Sequence, residues 1–267
     1  MPKLERPDGV EISWEQRGEG PLVVLASYWS GYPGVYEEML ADLAEDHRVV
    51  TLDARGTGDS TRQGPYDLET DAADLAAVID VAGGEALVIG AANGPNQAVR
   101  VAARRPDAVH ALVCFGAAPL ARDAYRQGEG MLASDEVIDA FLDMLERDYR
   151  GALRTLMTAT NTQMSEEELR ERVQRQAVYC DHDAAVVRAR EWMSDDPREA
   201  ARGIGNRLRV LTSPDIAGPW LPPADRREEI TKEQLPEARV EMIEGGPVSN
   251  PADAAAFVRR VGNTIEP

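Results

Sequence analysis

The hydrophobic positions of the chain follow two different patterns. Short, continuous apolar runs alternate with segments of helical spacing up to residue 118 and again after residue 203. Strands that are apolar along their whole length are typical of a parallel sheet covered by helices on both faces. The sequence therefore predicts an α/β fold. We expect its strands at 10–15, 22–25, 49–52, 86–89, 109–115, 208–212 and 240–243, and its helices at 34–45, 67–82, 92–105, 224–234 and 251–261.

Between residues 119 and 203 the pattern changes to consecutive helices without a strand. Ser134 and Ser165 are suited to be N-caps, and Glu168 completes a capping box after Ser165. An insertion at this point is expected to lie over the carboxyl ends of the strands, where open α/β sheets bind ligands. The helices are expected at 134–149, 151–159, 165–179 and 183–194, and the domains at 1–118 with 204–267 (core) and 119–203 (cap).

Two segments resemble motifs of the α/β-hydrolase fold family. Residues 87–95 read Leu-Val-Ile-Gly-Ala-Ala-Asn-Gly-Pro, with Gly90 and Gly94 at the glycine positions of a Gly-x-Ser-x-Gly nucleophile elbow. Residues 52–60, Leu-Asp-Ala-Arg-Gly-Thr-Gly-Asp-Ser, are similar to the family's loop after its fourth strand. The resemblance covers nearly the whole chain except the cap. It implies a mostly parallel central sheet with helices on both faces and an all-helical cap insertion.

The same resemblance identifies two departures from the catalytic machinery. Ala92 stands between the two elbow glycines, and a methyl group cannot attack a carbonyl. The family's histidine lies in the turn before the last helix, and Pro247 takes that position here. Proline has no titratable group, so it cannot act as the base of a triad. The chain is therefore identified as a member that lacks the catalytic Ser and His, a non-hydrolytic or pseudo-hydrolase.

Other candidate residues follow from their place in the family's pattern. The backbone N–H of Asn93, and one near Tyr28, are suited to bind an oxyanion, and Asn93 is the best candidate for a polar contact with a ligand. Asp215 is a candidate for the family's acid position, although its loop departs from the usual spacing. In the cap, His182 is a candidate for a relocated base, with a surface turn as the alternative.

Loop aromatics complete the candidate site. Tyr28, Trp29 and Trp220 fall on loops at the carboxyl ends of strands, where they either grip a ligand together with Ala92 and Pro247 or pack under the cap.

Composition narrows the classes of partner. The formal net charge of −18 disfavours nucleic acid and anionic membranes. No phosphate loop, dinucleotide fingerprint or metal-ligand spacing is found, so no cofactor and no metal is expected. The N-terminal residues have no apolar signal-peptide core, and a cytoplasmic protein is expected. A small organic molecule is the expected partner, and a homodimer stays an open alternative.

Three functions are compatible with these residues. The first is a non-hydrolytic enzyme of secondary metabolism that performs cyclisation, C–C bond formation or lyase chemistry by positioning and oxyanion stabilisation. The second is a non-catalytic protein that binds or sequesters a small molecule. The third is a hydrolase with relocated catalytic residues, such as His182 with Asp215.

Overall fold

Eight strands form one sheet in the computed structural model, in the order β1-β2-β4-β3-β5-β6-β7-β8. β1 and β2 pair antiparallel at one edge, β2 pairs antiparallel with β4, and the remaining pairs are parallel. The strands are β1 Lys3–Glu5, β2 Glu11–Arg17, β3 Leu22–Leu25, β4 Arg48–Leu52, β5 Ala86–Ala91, β6 Val109–Phe115, β7 Leu208–Thr212 and β8 Arg239–Met242. The structure describes residues 1–26, 28–126, 130–160, 164–214 and 220–264.

Ten α-helices accompany the sheet in the described residues. They are α1 Glu37–Leu43, α2 Leu68–Ala82, α3 Gly94–Arg104, α4 Asp135–Arg147, α5 Tyr149–Thr160, α6 Glu166–Tyr179, α7 His182–Ser194, α8 Arg198–Ile204, α9 Ala224–Gln234 and α10 Pro251–Thr264. In the part of the chain that the structure covers, no helix has both the length and the apolar composition needed to cross a membrane.

The sheet is buried on both faces, which explains why its strands are continuously apolar. Along β3, Val23 and Leu25 pack in a cluster with α1 and α10, whereas Leu22 and Val24 pack in a second cluster with α2 and α3. Successive side chains of a strand point to opposite faces, so a strand covered on both sides needs apolar residues at every position. The α/β-hydrolase fold expected from the sequence is confirmed by this arrangement.

Three details of the secondary structure differ from the sequence predictions. β1 and α8 were not predicted, because three residues and seven residues are too short to show a period. The helix expected from residue 92 begins at Gly94, because residues 92 and 93 form a tight turn. This turn is the elbow that the glycine spacing indicates.

Five helices, α4 to α8, lie between β6 and β7 and are called the cap helices below. Two of them begin at the predicted N-caps. The side chain of Ser134 accepts a hydrogen bond from the N–H of Val137, and Ser165 forms a capping box with Glu168. The division of the chain into two domains at these boundaries stays a prediction.

A buried ion pair joins the cap helices to the core. Arg188 of α7 donates from Nε and Nη2 to the two carboxylate oxygens of Asp71 of α2, at 2.7 and 2.8 Å. Its Nη2 also donates to the carbonyl oxygen of Arg55, in the loop after β4 (2.8 Å). Burial alone would lower the pKa of Arg188, but the attraction of Asp71 outweighs burial and raises this pKa. One guanidinium thus holds three segments together.

We expect the Asp71→Leu variant to lose about 3–5 kcal/mol of unfolding free energy, because Arg188 would stay buried without a counterion. The double variant Asp71→Leu/Arg188→Met should lose less, about 1–3 kcal/mol, because only the carbonyl of Arg55 is left without its donor. Urea denaturation measures both losses. Arg105→Met, which removes an exposed pair with Asp80, is the control and should cost at most about 1 kcal/mol. A double variant that is less stable than Asp71→Leu would contradict the assignment of Asp71 as the counterion of Arg188.

Candidate active site

The turn after β5 has the geometry of a nucleophile elbow. Ala92 has φ of 50°, and it is the one non-glycine residue with a positive φ in the described chain. A Cβ at Gly90 would lie 2.6 Å from the backbone nitrogen of Pro95, so this position has room only for glycine. An L-residue in this left-handed region costs about 1–2 kcal/mol. The elbow is therefore built and strained, with a methyl group at its tip.

Two backbone N–H groups flank the elbow. No described residue accepts a hydrogen bond from the N–H of Asn93 or from that of Tyr28. Tyr28 follows β3, and β3 is the direct neighbour of β5 in the sheet. Free backbone donors at the carboxyl ends of adjacent strands are suited to hold a carbonyl oxygen as it gains negative charge. The role of the Asn93 N–H, and of one near Tyr28, as oxyanion donors stays a prediction.

Three aromatic rings pack above this edge of the sheet. Trp29, in the loop after β3, and Trp220, in the loop after β7, both make edge contacts with Phe141 of α4, at centroid distances of 6.3 and 4.9 Å. All three side chains are buried. They belong to the large apolar core on one face of the sheet, and Ala92 packs against that core. A cap helix thus contributes a ring to the apolar packing of the loops after β3 and β7.

Helix α6 makes polar contacts with two loops at the carboxyl edge. Gln176 donates from Nε2 to the carbonyl oxygen of Ser30 and, at 2.9 Å, to its Oγ. The hydroxyl of Tyr179 donates to Asp53, which also accepts from the backbone N–H of Asp59 at 2.9 Å. These contacts hold the loop that carries Tyr28, and they show that Asp53 braces the loop after β4.

The tyrosines of this region are not suited to act as bases. Burial raises the pKa of Tyr28 to about 12. Burial, followed by the negative charge of Asp53, raises the pKa of Tyr179 still further. Both hydroxyls therefore stay protonated at neutral pH and can only donate or accept hydrogen bonds.

The three histidines of the chain lie elsewhere. His47 precedes β4 and contacts Asp46, and His110 near the start of β6 faces Glu85, so both are at the amino ends of strands. Nε2 of His182 lies 2.8 Å from the carbonyl oxygen of Leu145, and its ring stacks on Tyr149 at 5.3 Å. These contacts place the imidazole among the cap helices α4, α5 and α7, and the role of His182 as a relocated base stays a prediction.

Pro247 lies in a turn between β8 and α10, and its equivalence to the family's histidine position stays a prediction. Gly245 has φ of 78°, and the backbone N–H of Gly246 donates to Oγ of Ser249 at 2.7 Å. Pro247 is buried in this turn. Asp215, the candidate for the acid position, lies outside the described residues.

Two residues of this site were not anticipated from the sequence. Phe141 lies on the apolar face of α4, and its position gave no sign that it reaches the loop aromatics. Gln176 occupies a buried position seven residues after Leu169 and three after Val173. A polar residue on an otherwise apolar helical face indicates a buried hydrogen bond, so this signal was available.

Comparison with known proteins gives relatives with hydrolase names. The pimeloyl-(acyl-carrier protein) methyl ester esterase of Aeromonas hydrophila is 24% identical over 236 residues, which cover 86% of this chain and 80% of that protein. The structure of an esterase from Exiguobacterium antarcticum has a TM-score of 0.77 at 21% identity and covers 98% of both chains. The enol-lactonase of Burkholderia xenovorans has a TM-score of 0.72 at 22% identity, again over 98% of both chains.

These relatives contradict the expectation of a non-hydrolytic enzyme with a degenerate triad. That expectation depended on two positions, 92 and 247, and on an analogy with members that form or break other bonds. The relatives are named as esterases and as a lactonase, which are hydrolytic enzymes. The prediction of cyclisation, C–C bond formation or lyase chemistry is therefore wrong.

The family of this chain is shown by its match to a family profile. The family profile described as alpha/beta hydrolase fold matches residues 21–164, which is more than half of the chain. This match includes β3 to β6, the elbow and the first cap helices. Together with the sheet order and the elbow geometry, it shows that the chain belongs to the α/β-hydrolase fold family.

Proposed function

We propose that this protein hydrolyses a small organic ester, thioester or lactone at the elbow, and that water attacks the carbonyl directly. The observation that carries the proposal is the strained turn at Ala92, with the free N–H groups of Asn93 and Tyr28 beside it. A strained backbone conformation costs free energy and persists only where the surrounding fold holds it in place. Such residues are concentrated at functional sites. The names of the relatives support hydrolysis as the reaction.

Direct attack by water is proposed because of the residues at positions 92 and 247. Alanine at the tip of the elbow cannot form an acyl-enzyme, and proline before α10 cannot accept a proton. We infer that the family's serine and histidine are replaced at these two positions. The placement of all three imidazoles away from the elbow supports this inference.

The remaining groups can still accelerate hydrolysis. Oxyanion donors and substrate binding alone provide about 10³–10⁴-fold acceleration over the reaction in water when a triad has been removed. The buried rings of Trp29, Phe141 and Trp220 provide an apolar surface beside the carbonyl, where hydrogen bonds to the developing charge are stronger than in water. We therefore expect a slow hydrolase with an apolar substrate.

The first test is turnover without a covalent intermediate. With aryl and alkyl esters, thioesters and lactones, we expect many turnovers per protein molecule. We also expect no acyl adduct in the intact mass spectrum and no labelling by a fluorophosphonate, because the elbow carries no hydroxyl. Ala92→Leu should abolish turnover by filling the space at the tip of the elbow. Recovery of every ester unchanged, or an acyl adduct on the protein, would overturn the proposal.

A second test restores the proposed missing groups. Ala92→Ser alone should not increase aryl-ester hydrolysis, because no base stands beside the new hydroxyl. The double variant Ala92→Ser/Pro247→His should increase kcat at least about tenfold, since a positioned general base contributes about 10²–10⁴-fold. Pro247→His alone is the control, because it measures what a base adds to direct attack by water, and only the double variant should also form an acyl adduct. A large increase with the single serine variant would show that another base serves this position.

A third test measures the strain at the elbow. We expect Ala92→Gly to raise the free energy of unfolding by about 0.5–1 kcal/mol, because relief of the left-handed strain exceeds the added flexibility of the unfolded chain. Ala91→Gly, one residue earlier in β5, should instead lower it by about 0.5–1 kcal/mol. Both changes are measured by urea denaturation. Equal destabilisation by both variants would contradict the strained conformation.

A further inference from the structure

The side chain of Asn93 is buried without any hydrogen-bond partner. It is 0% exposed, and neither Oδ1 nor Nδ2 has a partner among the described residues. It does not cap α3 either, although Asn93 is the N-cap residue of that helix. In the described chain this is the one side chain with two such unpartnered atoms, an acceptor and a donor. Buried amides in native proteins are nearly always hydrogen-bonded, so this one requires an explanation.

The next asparagine of the same helix behaves differently. Asn96 is also buried, but its Nδ2 donates to Asp195 at 2.7 Å. Asp195 follows α7 and also accepts from Arg100 at 2.6 Å. The amide of Asn96 thus has a clear role in joining α3 to the cap helices. Among the described residues the amide of Asn93 has no such role, and we infer that its partner comes from a bound molecule.

The position of Asn93 places this amide at the elbow. Asn93 follows Ala92 directly, at the carboxyl end of β5. The aromatic residues Trp29 and Trp220 come from loops on either side of β5 in the sheet, and Phe141 connects them. The indole Nε1 of Trp220 is also buried and has no partner in the part of the chain that the structure describes. Unpartnered polar groups within an apolar surface are typical of a ligand-binding site.

We propose that the Asn93 amide recognises a carboxamide-like group of the substrate, meaning a primary amide, lactam or carbamate. An amide side chain offers one acceptor and one donor side by side. A group with a neighbouring N–H and C=O pairs with both atoms at once, whereas a simple ketone or ester accepts one hydrogen bond and leaves Oδ1 unpaired. Asn93 is thus a specificity-determining residue. The inference rests on the proposed function only in placing the ligand at the elbow.

The test measures binding without turnover, with benzamide and its isostere acetophenone as probes. The two differ by an NH₂ group in place of a CH₃ group. By NMR titration, wild-type protein should bind benzamide at least about tenfold more tightly, because acetophenone leaves a buried acceptor unpaired. Asn93→Leu has a similar shape and no polar atoms, and it should abolish this preference. Neither probe is an ester, so failed discrimination contradicts the specificity role and leaves hydrolysis intact.

Thermal unfolding gives a second readout that does not depend on any ligand. Asn93→Leu should raise the Tm of the free protein by about 2–6 °C, because it removes an unpartnered buried amide. The matched control Asn96→Leu should lower the Tm and keep the benzamide preference, because it breaks the bond to Asp195.

Three results would overturn the inference. Equal affinity of wild-type protein for both probes is decisive even if Asn93→Leu does not fold. A preference that survives in Asn93→Leu would assign the recognition to another residue. A lower Tm in Asn93→Leu would show that a partner, such as an ordered water molecule, already satisfies the amide in the free protein.

Discussion

The buried pair of Arg188 and Asp71 is the interaction on which the site depends. The sheet and its flanking helices are stabilised by apolar burial on both faces, but the cap helices must be held at one defined place over the carboxyl edge. A guanidinium that binds a carboxylate of α2 and a backbone carbonyl of the loop after β4 fixes α7 in both position and orientation. Removal of either partner would leave a buried charge or its hydrogen-bonding groups unpaired, so the docking of α7 is coupled to this contact.

The other cap helices place side chains on the loops at the carboxyl edge. Phe141 of α4 contacts the two loop tryptophans, and Gln176 of α6 holds the loop that contains Tyr28. The position of that loop therefore depends on a cap helix as well as on the sheet. The strained turn at Ala92 lies at the end of β5, and its side chain is a methyl group.

The residues at positions 92 and 247 and the names of the relatives bear on two different questions. A methyl group and a proline bear on the route of a reaction, because neither can form a covalent intermediate with a substrate. The names of the relatives bear on the outcome, because those proteins are called esterases and a lactonase. An inference from missing side chains to a different reaction type was wrong, because it treated the route and the outcome as the same question.

The sequence by itself determined seven of the eight strands, most helices, two N-caps and the elbow. Each of these depends on local spacing: apolar runs, helical periodicity, and glycines at 90 and 94. Tertiary structure decided which side chains meet. It placed His182 on Tyr149 and Gln176 on Ser30, which are residues far apart in the chain. It also left the amide of Asn93 without a partner among the described residues. Such contacts depend on how the cap helices dock, and no local pattern encodes the relative position of two elements that meet only after folding.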